Sequence, residues 1–310
     1  MKHILITGGN GFIGQYVVEE VAGRGYTPVV YDRKFGRLVR EKPELFDTVW
    51  GDIKDQTLVD EAVGHVEGVI HLAGVLGTQE TVADPKPAAE TNILGGLNVV
   101  MACAKYDVPL VNIAVGNFWM NNTYSITKNA VERFVDMKAT FEGARMASVR
   151  ALNAYGPRQV PAEPYGPSRV RKIMPSFICR ALSDDPIEIY GDGEQVMDMI
   201  YVTDVANVLV SALETLDEKG RIESQIEAGT GEHTTVNDIA DAVHAEVFAQ
   251  TGIDADIKHL PMRKGEPDRS VVVGNPKTLK QVGVDPKGLV TLAEGVQSTV
   301  DYFRKYLKER

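Results

Sequence analysis

Short apolar runs alternate with helical patterns along the first half of this chain, and that alternation restricts the folds open to it. Residues 3–7 (HILIT) are typical of a buried strand, and residues 12–22 repeat apolar side chains at helical spacing. Further strand-like runs, separated mainly by helical patterns, follow at 28–32, 47–52, 68–74, 109–115 and 144–152. Strands joined by helices form a parallel sheet that is buried on both faces. The sequence therefore predicts an α/β protein with a doubly wound parallel sheet.

A glycine-rich turn joins the first predicted strand to the first predicted helix. Its sequence ITGGNGFIG places Gly8, Gly11 and Gly14 at a regular spacing, with Phe12 and Ile13 before the last glycine. In such a turn the glycines make the tight bend, admit a pyrophosphate close to the backbone and let the helix pack on the strand. The helix N-terminus adds oriented N–H groups and partial positive charge. We predict that these five residues bind a dinucleotide cofactor in a Rossmann-type domain.

An acidic residue, Asp32, ends the second predicted strand. A carboxylate there accepts hydrogen bonds from the adenosine ribose hydroxyls and repels a 2′-phosphate, so it favours NAD over NADP. Arg33 and Lys34 follow directly and leave the alternative open, because a cation at this place receives that phosphate. The predicted cofactor is NAD.

The texture of the sequence changes after Arg150. Residues 153–168 are rich in proline and glycine and predict a long loop, and shorter strand and helix patterns follow it. We predict an NAD-binding domain over residues 1–150, joined by a segment that returns near 199–227. Residues 151–310 then form mainly a smaller α/β substrate-binding lobe.

Charge and cysteine content exclude several classes of partner and site. The formal net charge of −10 disfavours nucleic acid and anionic membranes, which bind basic surfaces. Cys103 and Cys179, the two cysteines, lie in apolar helical contexts and are expected to be buried free thiols. The six histidines show no metal-ligand spacing, so no metal site is predicted. Neither a signal peptide nor a membrane-spanning run is recognisable, and a cytoplasmic location is expected.

A tyrosine and a lysine stand four residues apart in YSITK, just after a predicted buried strand. Positions i and i+4 share one face of a helix, so Tyr124 and Lys128 can point into one cleft. We expect the ammonium of Lys128 to lower the pKa of the Tyr124 phenol, which makes the phenol a base near neutral pH. The alternative is an exposed helix that carries an unrelated tyrosine and lysine.

In the order and spacing of its motifs the chain resembles the extended short-chain dehydrogenase/reductases that act on nucleotide-activated sugars, the UDP-galactose 4-epimerase-like group above all. The resemblance runs nearly from end to end. The motifs are TGGNGFIG at 7–14, GDI at 51–53, HLAG at 71–74, TNILGGLNV at 91–99, YSITK at 124–128, RALNAYGPRQ at 150–159, IYGDGEQ at 189–195, YVTDVA at 201–206, AGTG at 228–231 and RKGEP at 263–267.

The resemblance implies further contacts with the cofactor. Asp52 and Ile53 are expected to flank the adenine, and Asn92 to order the central strands beside the cofactor. The end of the fourth strand is expected to line the cofactor path with Leu72, Ala73 and Gly74.

The resemblance also assigns roles in catalysis and substrate binding. Tyr124 is expected to be the catalytic base, and Lys128 its partner, which also binds the nicotinamide ribose. Asn153 is expected to contact the diphosphate of a nucleotide-sugar substrate, and Arg263 to clamp it.

The chain departs from the family pattern where the fifth strand ends. A serine or threonine is expected there to hydrogen-bond the reacting oxygen, but residues 114–117 are Ala, Val, Gly and Asn. The candidates to replace that hydroxyl are Asn117, Asn121, Asn122 and Thr123. The acidic pair typical of sugar 4,6-dehydratases is also missing, which disfavours dehydration by that route. An acid from elsewhere in the chain, such as Glu80, stays an alternative if folding places it over the site.

A second departure concerns the substrate diphosphate. The family has an arginine just before Asp198, and this chain has Met197. Arg263 remains, and the loop at 157–171 carries further arginines that are phosphate ligands or solvated surface residues: Arg158, Arg169 and Arg171.

The leading hypothesis is an NAD-dependent 4-epimerase of a nucleotide-activated sugar. The alternatives are a dehydratase, reductase or decarboxylase on the same scaffold, or a catalytically weak NAD-binding sensor or scaffold protein. By resemblance, a homodimer is expected through the helices predicted at 92–105 and 125–138.

Overall fold

A seven-stranded parallel sheet forms the centre of the protein in the computed structural model, which describes residues 2–223, 225–263, 266–267 and 269–309. The strands are β1 (His3–Thr7), β2 (Thr27–Asp32), β3 (Asp47–Trp50), β4 (Gly68–His71), β5 (Leu110–Val115), β6 (Met146–Ala151), β7 (Asn153–Tyr155), β8 (Ile187–Tyr190), β9 (Val196–Met197), β10 (Met199–Tyr201), β11 (Ile226–Ala228), β12 (Thr234–Thr235), β13 (Ile257–Leu260) and β14 (Val271–Val272). The large sheet has the order β11-β6-β5-β4-β1-β2-β3. All of its pairs are parallel, so the predicted doubly wound sheet is confirmed.

Helices cover both faces of this sheet. They are α1 (Phe12–Gly23), α2 (Arg37–Glu41), α3 (Gln56–Val63), α4 (Lys86–Ala88), a π-helical segment (Ala89–Gly95), α5 (Gly96–Tyr106), α6 (Thr123–Glu142), α7 (Ile173–Leu182), α8 (Val202–Lys219), α9 (Val236–Thr251) and α10 (Leu292–Lys308), with 3₁₀ turns at Pro43–Leu45, Pro276–Val282 and Pro286–Gly288. Helices α1 and α8 pack on one face, and α3, α5 and α6 pack on the other. Strand β1 shows why, since Ile4 and Ile6 point to the first face and Leu5 to the second.

A second core lies beyond the sheet. It is built from α7, α9 and α10 with β8, which pairs in parallel with β13. Strand β9 lies between β12 and β14, and β10 pairs with β7. The segment that includes α8 and β11 returns to the large sheet, where β11 forms the edge next to β6.

Two details refine the sequence interpretation. The segment after Arg150 is not all loop, because residues 153–155 form the short strand β7 beside β10. The helix predicted to begin at residue 92 begins earlier in the structure. Helix α4 and the π-helical segment, which starts at Ala89, run directly into α5. Cys103 and Cys179 are buried thiols that are not joined in a disulfide, as expected. In the described part of the chain, none of the helices is long and apolar enough to cross a membrane.

The order of the strands marks where a ligand binds. Strand β1 has β2 on one side and β4 on the other, so the connections reverse direction at β1. In open α/β sheets the crevice outside the carboxyl ends of the strands at such a point is the usual ligand site. Thr7, Asp32, His71 and Val115 end four of these strands at the same edge.

Candidate active site

A cavity of about 640 Å³ opens at the carboxyl ends of the sheet strands and reaches into the second lobe. Sites for small molecules and cofactors have volumes of roughly 300–1,000 Å³. Its walls contain every residue predicted to touch cofactor or substrate except Asn92. Residues far apart in sequence thus form one site between the two cores.

The glycine loop has the close contacts that its sequence predicts. Gly8 has a φ of +73°, and a Cβ there would lie 2.9 Å from the backbone of Ala73. A Cβ on Gly14 would lie 2.3 Å from the Gly8 carbonyl oxygen. Gly11 is the N-cap residue of α1, and no side chain caps this helix. The N–H groups of its first turn, which lines the cavity, are therefore not used by a capping side chain. The loop therefore fits the diphosphate of a dinucleotide.

The acid after β2 is held in place by backbone donors. Asp32 Oδ2 accepts a hydrogen bond of 3.1 Å from the Asn10 N–H, and Oδ1 accepts one of 3.1 Å from the Lys34 N–H. Arg33 Nη1 lies 3.4 Å from Asp52 Oδ2. The pairing with Asp52 partly neutralises Arg33, which lessens the case for a cation waiting for a 2′-phosphate. This arrangement fits NAD.

Asn92 lies behind the cofactor wall rather than on it. Its Oδ1 accepts a hydrogen bond from the Val75 N–H at 2.7 Å, and its Nδ2 donates to the Val75 carbonyl at 3.1 Å and to Thr127 Oγ1 at 2.9 Å. The side chain thus joins the segment after β4 to helix α6. The cavity itself is lined by the three residues between β4 and Val75: Leu72, Ala73 and Gly74.

Tyr124 and Lys128 share one face of α6 and both line the cavity. The helix begins there because Asn122 Oδ1 accepts a hydrogen bond from the Ser125 N–H at 3.0 Å. Burial raises the pKa of Tyr124 to about 12 and lowers the pKa of Lys128 to about 8, although Glu132 opposes the second shift. The expected lowering of the tyrosine pKa is therefore wrong for the protein alone. Burial is the cause of the raised pKa of Tyr124, and the same burial destabilises the charge of Lys128 that was expected to oppose it.

The segment after β5 distinguishes the candidates for the missing hydroxyl. Thr123 donates its hydroxyl hydrogen to the Thr81 carbonyl at 3.0 Å, and Asn122 caps α6. Of the four candidates, only Asn117 lines the cavity. Its Nδ2 contacts Met120 Sδ at 3.5 Å, and a thioether is a weak acceptor. Among these four candidates, Asn117 is therefore the one whose amide lines the same cavity as Tyr124.

A largely buried ion pair joins helix α6 to strand β6. Arg150 Nη2 lies 2.8 Å from Glu132 Oε1, and the guanidinium stacks on the Phe118 ring at 3.8 Å. Glu132 is one helical turn after Lys128 and raises its pKa. Through Arg150, Glu132 near Lys128 is thus linked to Phe118, which follows Asn117 in the chain. Sequence reasoning missed Glu132, although its i+4 spacing from Lys128 was a usable signal.

The substrate side of the cavity contains both residues predicted for the diphosphate. Asn153 lines the wall and donates to the Asp198 carbonyl at 3.3 Å. Arg263 Nη2 lies 2.6 Å from Glu266 Oε1, and its guanidinium lies 4.8 Å from the centre of the Tyr190 ring. Lys264 and Gly265, which complete the RKGEP motif, lie outside the described residues.

Of the three arginines in the loop at 157–171, one lines the cavity and two do not. Arg158 pairs with Glu19 at 2.6 Å and, like Arg169, does not line the cavity. Arg171 lines the cavity and pairs with Glu188 at 2.9 Å. Met197, which stands where the resemblance expects an arginine, also lines it.

Comparison with known protein families agrees with this geometry. The profile of the NAD dependent epimerase/dehydratase family matches residues 4–116 and 112–224 of the chain. The chain belongs to this family. The predicted resemblance and the predicted cofactor, NAD, are thereby confirmed, and the chain is an enzyme of the NAD dependent epimerase/dehydratase family.

Solved structures and relatives of this epimerase/dehydratase resemble it over nearly its full length. The UDP-glucose 4-epimerase of Thermotoga maritima, solved with UDP-glucose, has a TM-score of 0.84 at 30% identity and covers 98% of this chain and 99% of its own. That of Thermus thermophilus, a complex with NAD, has a TM-score of 0.83 at 30% identity, with 97% and 99% covered. A UDP-N-acetyl-alpha-D-glucosaminuronate decarboxylase of Bacillus cytotoxicus is 26% identical over an alignment of 336 positions that covers 98% of each chain.

The similar proteins include more than one reaction, so family membership alone leaves the chemistry of this epimerase/dehydratase open. The roles of individual residues and the domain boundaries stay predictions. In the described residues, no group of three or more His, Cys, Asp or Glu side chains is placed to hold a metal ion.

Proposed function

We propose that this enzyme is a 4-epimerase of a nucleotide-activated sugar. One observation carries the proposal: Tyr124 and Lys128 reach the same cavity as the glycine loop, while the wall at 114–117 contains no ionisable side chain. Tyr124 and Lys128 can therefore transfer the proton of one hydroxyl. The wall at 114–117 supplies no acid or base that could expel a second hydroxyl. The two similar structures at 30% identity are UDP-glucose 4-epimerases.

The residues of the chain supply the proton chemistry. When bound, NAD supplies the acceptor and the donor for the two electrons that leave and return at the sugar carbon. The Tyr124 phenolic oxygen accepts the proton of the sugar hydroxyl and returns it after the sugar has turned over. The Lys128 ammonium stabilises the phenolate while the phenol is deprotonated. The Asn117 amide donates a hydrogen bond to the sugar oxygen, in place of the expected hydroxyl.

Conversion of a panel of nucleotide sugars tests this function. The purified enzyme with NAD is incubated with UDP-, GDP- and dTDP-hexoses and with the corresponding uronic acids, and products are identified by NMR. We expect an equilibrium mixture of C4 epimers from at least one neutral sugar, without accumulation of free NADH. A decarboxylated pentose, a stable keto-deoxy sugar or stoichiometric NADH would instead assign one of the other reactions. Absence of any conversion with intact NAD binding would favour a sensor or scaffold.

We propose further that the enzyme is a homodimer through α5 and α6 with the preceding π-helical segment. Large apolar side chains lie exposed along these helices, in two rows that neighbouring helices present together: Leu94 and Met101 on the first, and Ile126, Met137 and Phe141 on the second. Exposed apolar patches of this kind mark interaction surfaces, and a two-fold axis would pair each row with its copy.

Light scattering tests the dimer. We expect about twice the mass of 33.9 kDa for the wild type, and a monomer for the Met101→Glu/Met137→Glu double variant. A matched control, Val271→Glu, alters a residue that is 58% exposed and lies on another element. A monomeric wild type would overturn the proposal. The predicted cytoplasmic location stays a prediction.

A further inference from the structure

The cation missing at Met197 leaves the substrate side of the cavity short of free positive charge. Arg171 pairs with Glu188 at 2.9 Å and also donates to the Tyr190 hydroxyl. Arg263 pairs with Glu266 at 2.6 Å. Both guanidinium groups on this side of the cavity are thus already bound to carboxylates of the chain itself.

Lys172 differs from these arginines. It lines the same cavity and is only partly exposed, and in the part of the chain that the structure describes its ammonium forms no ion pair within 4 Å and no side-chain hydrogen bond, although Glu80 and Glu266 lie near enough to act on its charge. Burial lowers the pKa of Lys172, while the more distant Glu80 raises it and Arg263 lowers it. A buried ammonium without a partner is costly, so this position is expected to meet an anionic ligand.

The helix that follows Lys172 strengthens the same site. Lys172 is the residue before α7, and no side chain caps this helix of 10 residues. Ile173 and Met174, its first two residues, also line the cavity. Their N–H groups lie in the first turn, where the helix makes no internal hydrogen bonds to them and its dipole favours negative charge. Ammonium and helix terminus converge on one wall.

We propose that the Lys172 ammonium and the first turn of α7 bind a phosphate oxygen of the substrate diphosphate and supply the cation absent at Met197. In this assignment the cation reaches the cavity from the start of α7, whereas the family pattern places it on strand β9. This inference rests on the proposed substrate class, a nucleotide diphosphate-sugar. A sugar carboxylate is also an anion that could bind here. The diphosphate is favoured, because the arginine that the family pattern places at position 197 to bind the diphosphate is replaced by Met197.

Calorimetric titration of the holoenzyme with UDP, UDP-glucose and UDP-glucuronate tests the assignment. We expect Lys172→Met to weaken the binding of all three by about tenfold to a hundredfold, the loss typical of a hydrogen bond to a charged group. Lys172→Arg should retain most of the affinity, and Lys172→Met combined with Met197→Arg should recover it. NAD binding should stay at the wild-type level in each variant. Lys86→Met, at a lysine whose side chain is 82% exposed, is the control.

The outcomes separate this inference from the proposed function. A loss confined to UDP-glucuronate would assign Lys172 to a sugar carboxylate and overturn the diphosphate role. Wild-type affinity for UDP in Lys172→Met would overturn it as well, even if the enzyme epimerises sugars normally. An enzyme that binds UDP through Lys172 but converts no nucleotide sugar would retain the anion site and refute the epimerase. A wild type that binds no nucleoside diphosphate or nucleotide sugar of the panel, whether of UDP, GDP or dTDP, would refute both.

Discussion

A Tyr124→Phe variant is expected to lose turnover by about 10²- to 10⁴-fold, the range that a general acid–base group contributes. Phenylalanine keeps the packing of the ring but removes the oxygen that accepts and returns the sugar proton. The rate of C4 epimer formation, measured by NMR on the best substrate of the panel, gives the effect. NAD affinity should change little. Tyr106→Phe, at a tyrosine that is 42% exposed on α5, is the matched control.

Turnover at the wild-type rate in Tyr124→Phe would contradict the role of the phenol. The Asn117→Ala variant adds a second comparison, because its amide is expected to polarise the sugar oxygen and not to transfer the proton. We expect a smaller loss, about tenfold to a hundredfold in kcat, with KM nearly unchanged. An equal loss in Thr123→Val would contradict this choice, since Thr123 is bound to the Thr81 carbonyl.

Lys128→Met is expected to stabilise the cofactor-free protein at pH 7 while it lowers activity. The ammonium is 4% exposed, and burial lowers its pKa from 10.5 to about 8. At pH 7 the folded protein therefore carries a charge that is better solvated in the unfolded chain. This difference corresponds to a free energy of unfolding on the order of 3 kcal/mol. Denaturant unfolding of both proteins measures it.

The pH dependence gives this prediction its sign. Between about pH 8 and pH 10.5 the unfolded chain binds more protons at Lys128 than the folded chain does, so the stability of the wild type rises with pH. The advantage of Lys128→Met should therefore shrink across this window. Comparison of the two proteins cancels the opposite effect of Tyr124, whose raised pKa lowers stability above about pH 10 in both. A constant difference, or none for Lys128→Met relative to the exposed control Lys308→Met, would contradict the argument.

Local patterns in the sequence were sufficient to predict much of the fold and of the cofactor half of the site. Strand–helix alternation, the glycine spacing and the i+4 pair depend on residues that are close in sequence, and the structure places them as expected. The direction of the Tyr124 pKa was not predictable, because it depends on burial by the whole fold. Likewise, only the path of the chain shows that Thr123 turns to Thr81 and that Asn117 reaches the cavity.

The substrate half was harder to predict for the same reason. Lys172 lies in a polar stretch, SRVRK, with nothing in its spacing to distinguish it from its neighbours. Its relevance comes from the start of α7 and from the pairing of Arg171 and Arg263 with carboxylates elsewhere in the chain. Contacts of this kind join residues that the sequence separates, so they become visible only once the strands are in place.

The carboxylate of Glu266 competes with any anionic ligand for the guanidinium of Arg263. Glu266 Oε1 also accepts a hydrogen bond from Thr78 at 3.0 Å, which joins the segment after β4 to the second lobe. An anion that binds the Nε and Nη2 donors of Arg263 competes with this carboxylate, so its apparent affinity is its intrinsic affinity multiplied by the fraction of molecules in which the pair is open. A doubly charged diphosphate can meet that cost, whereas an uncharged free sugar cannot. For the nucleotide-sugar substrate proposed above, this internal carboxylate is expected to favour ligands that carry a diphosphate over free sugars.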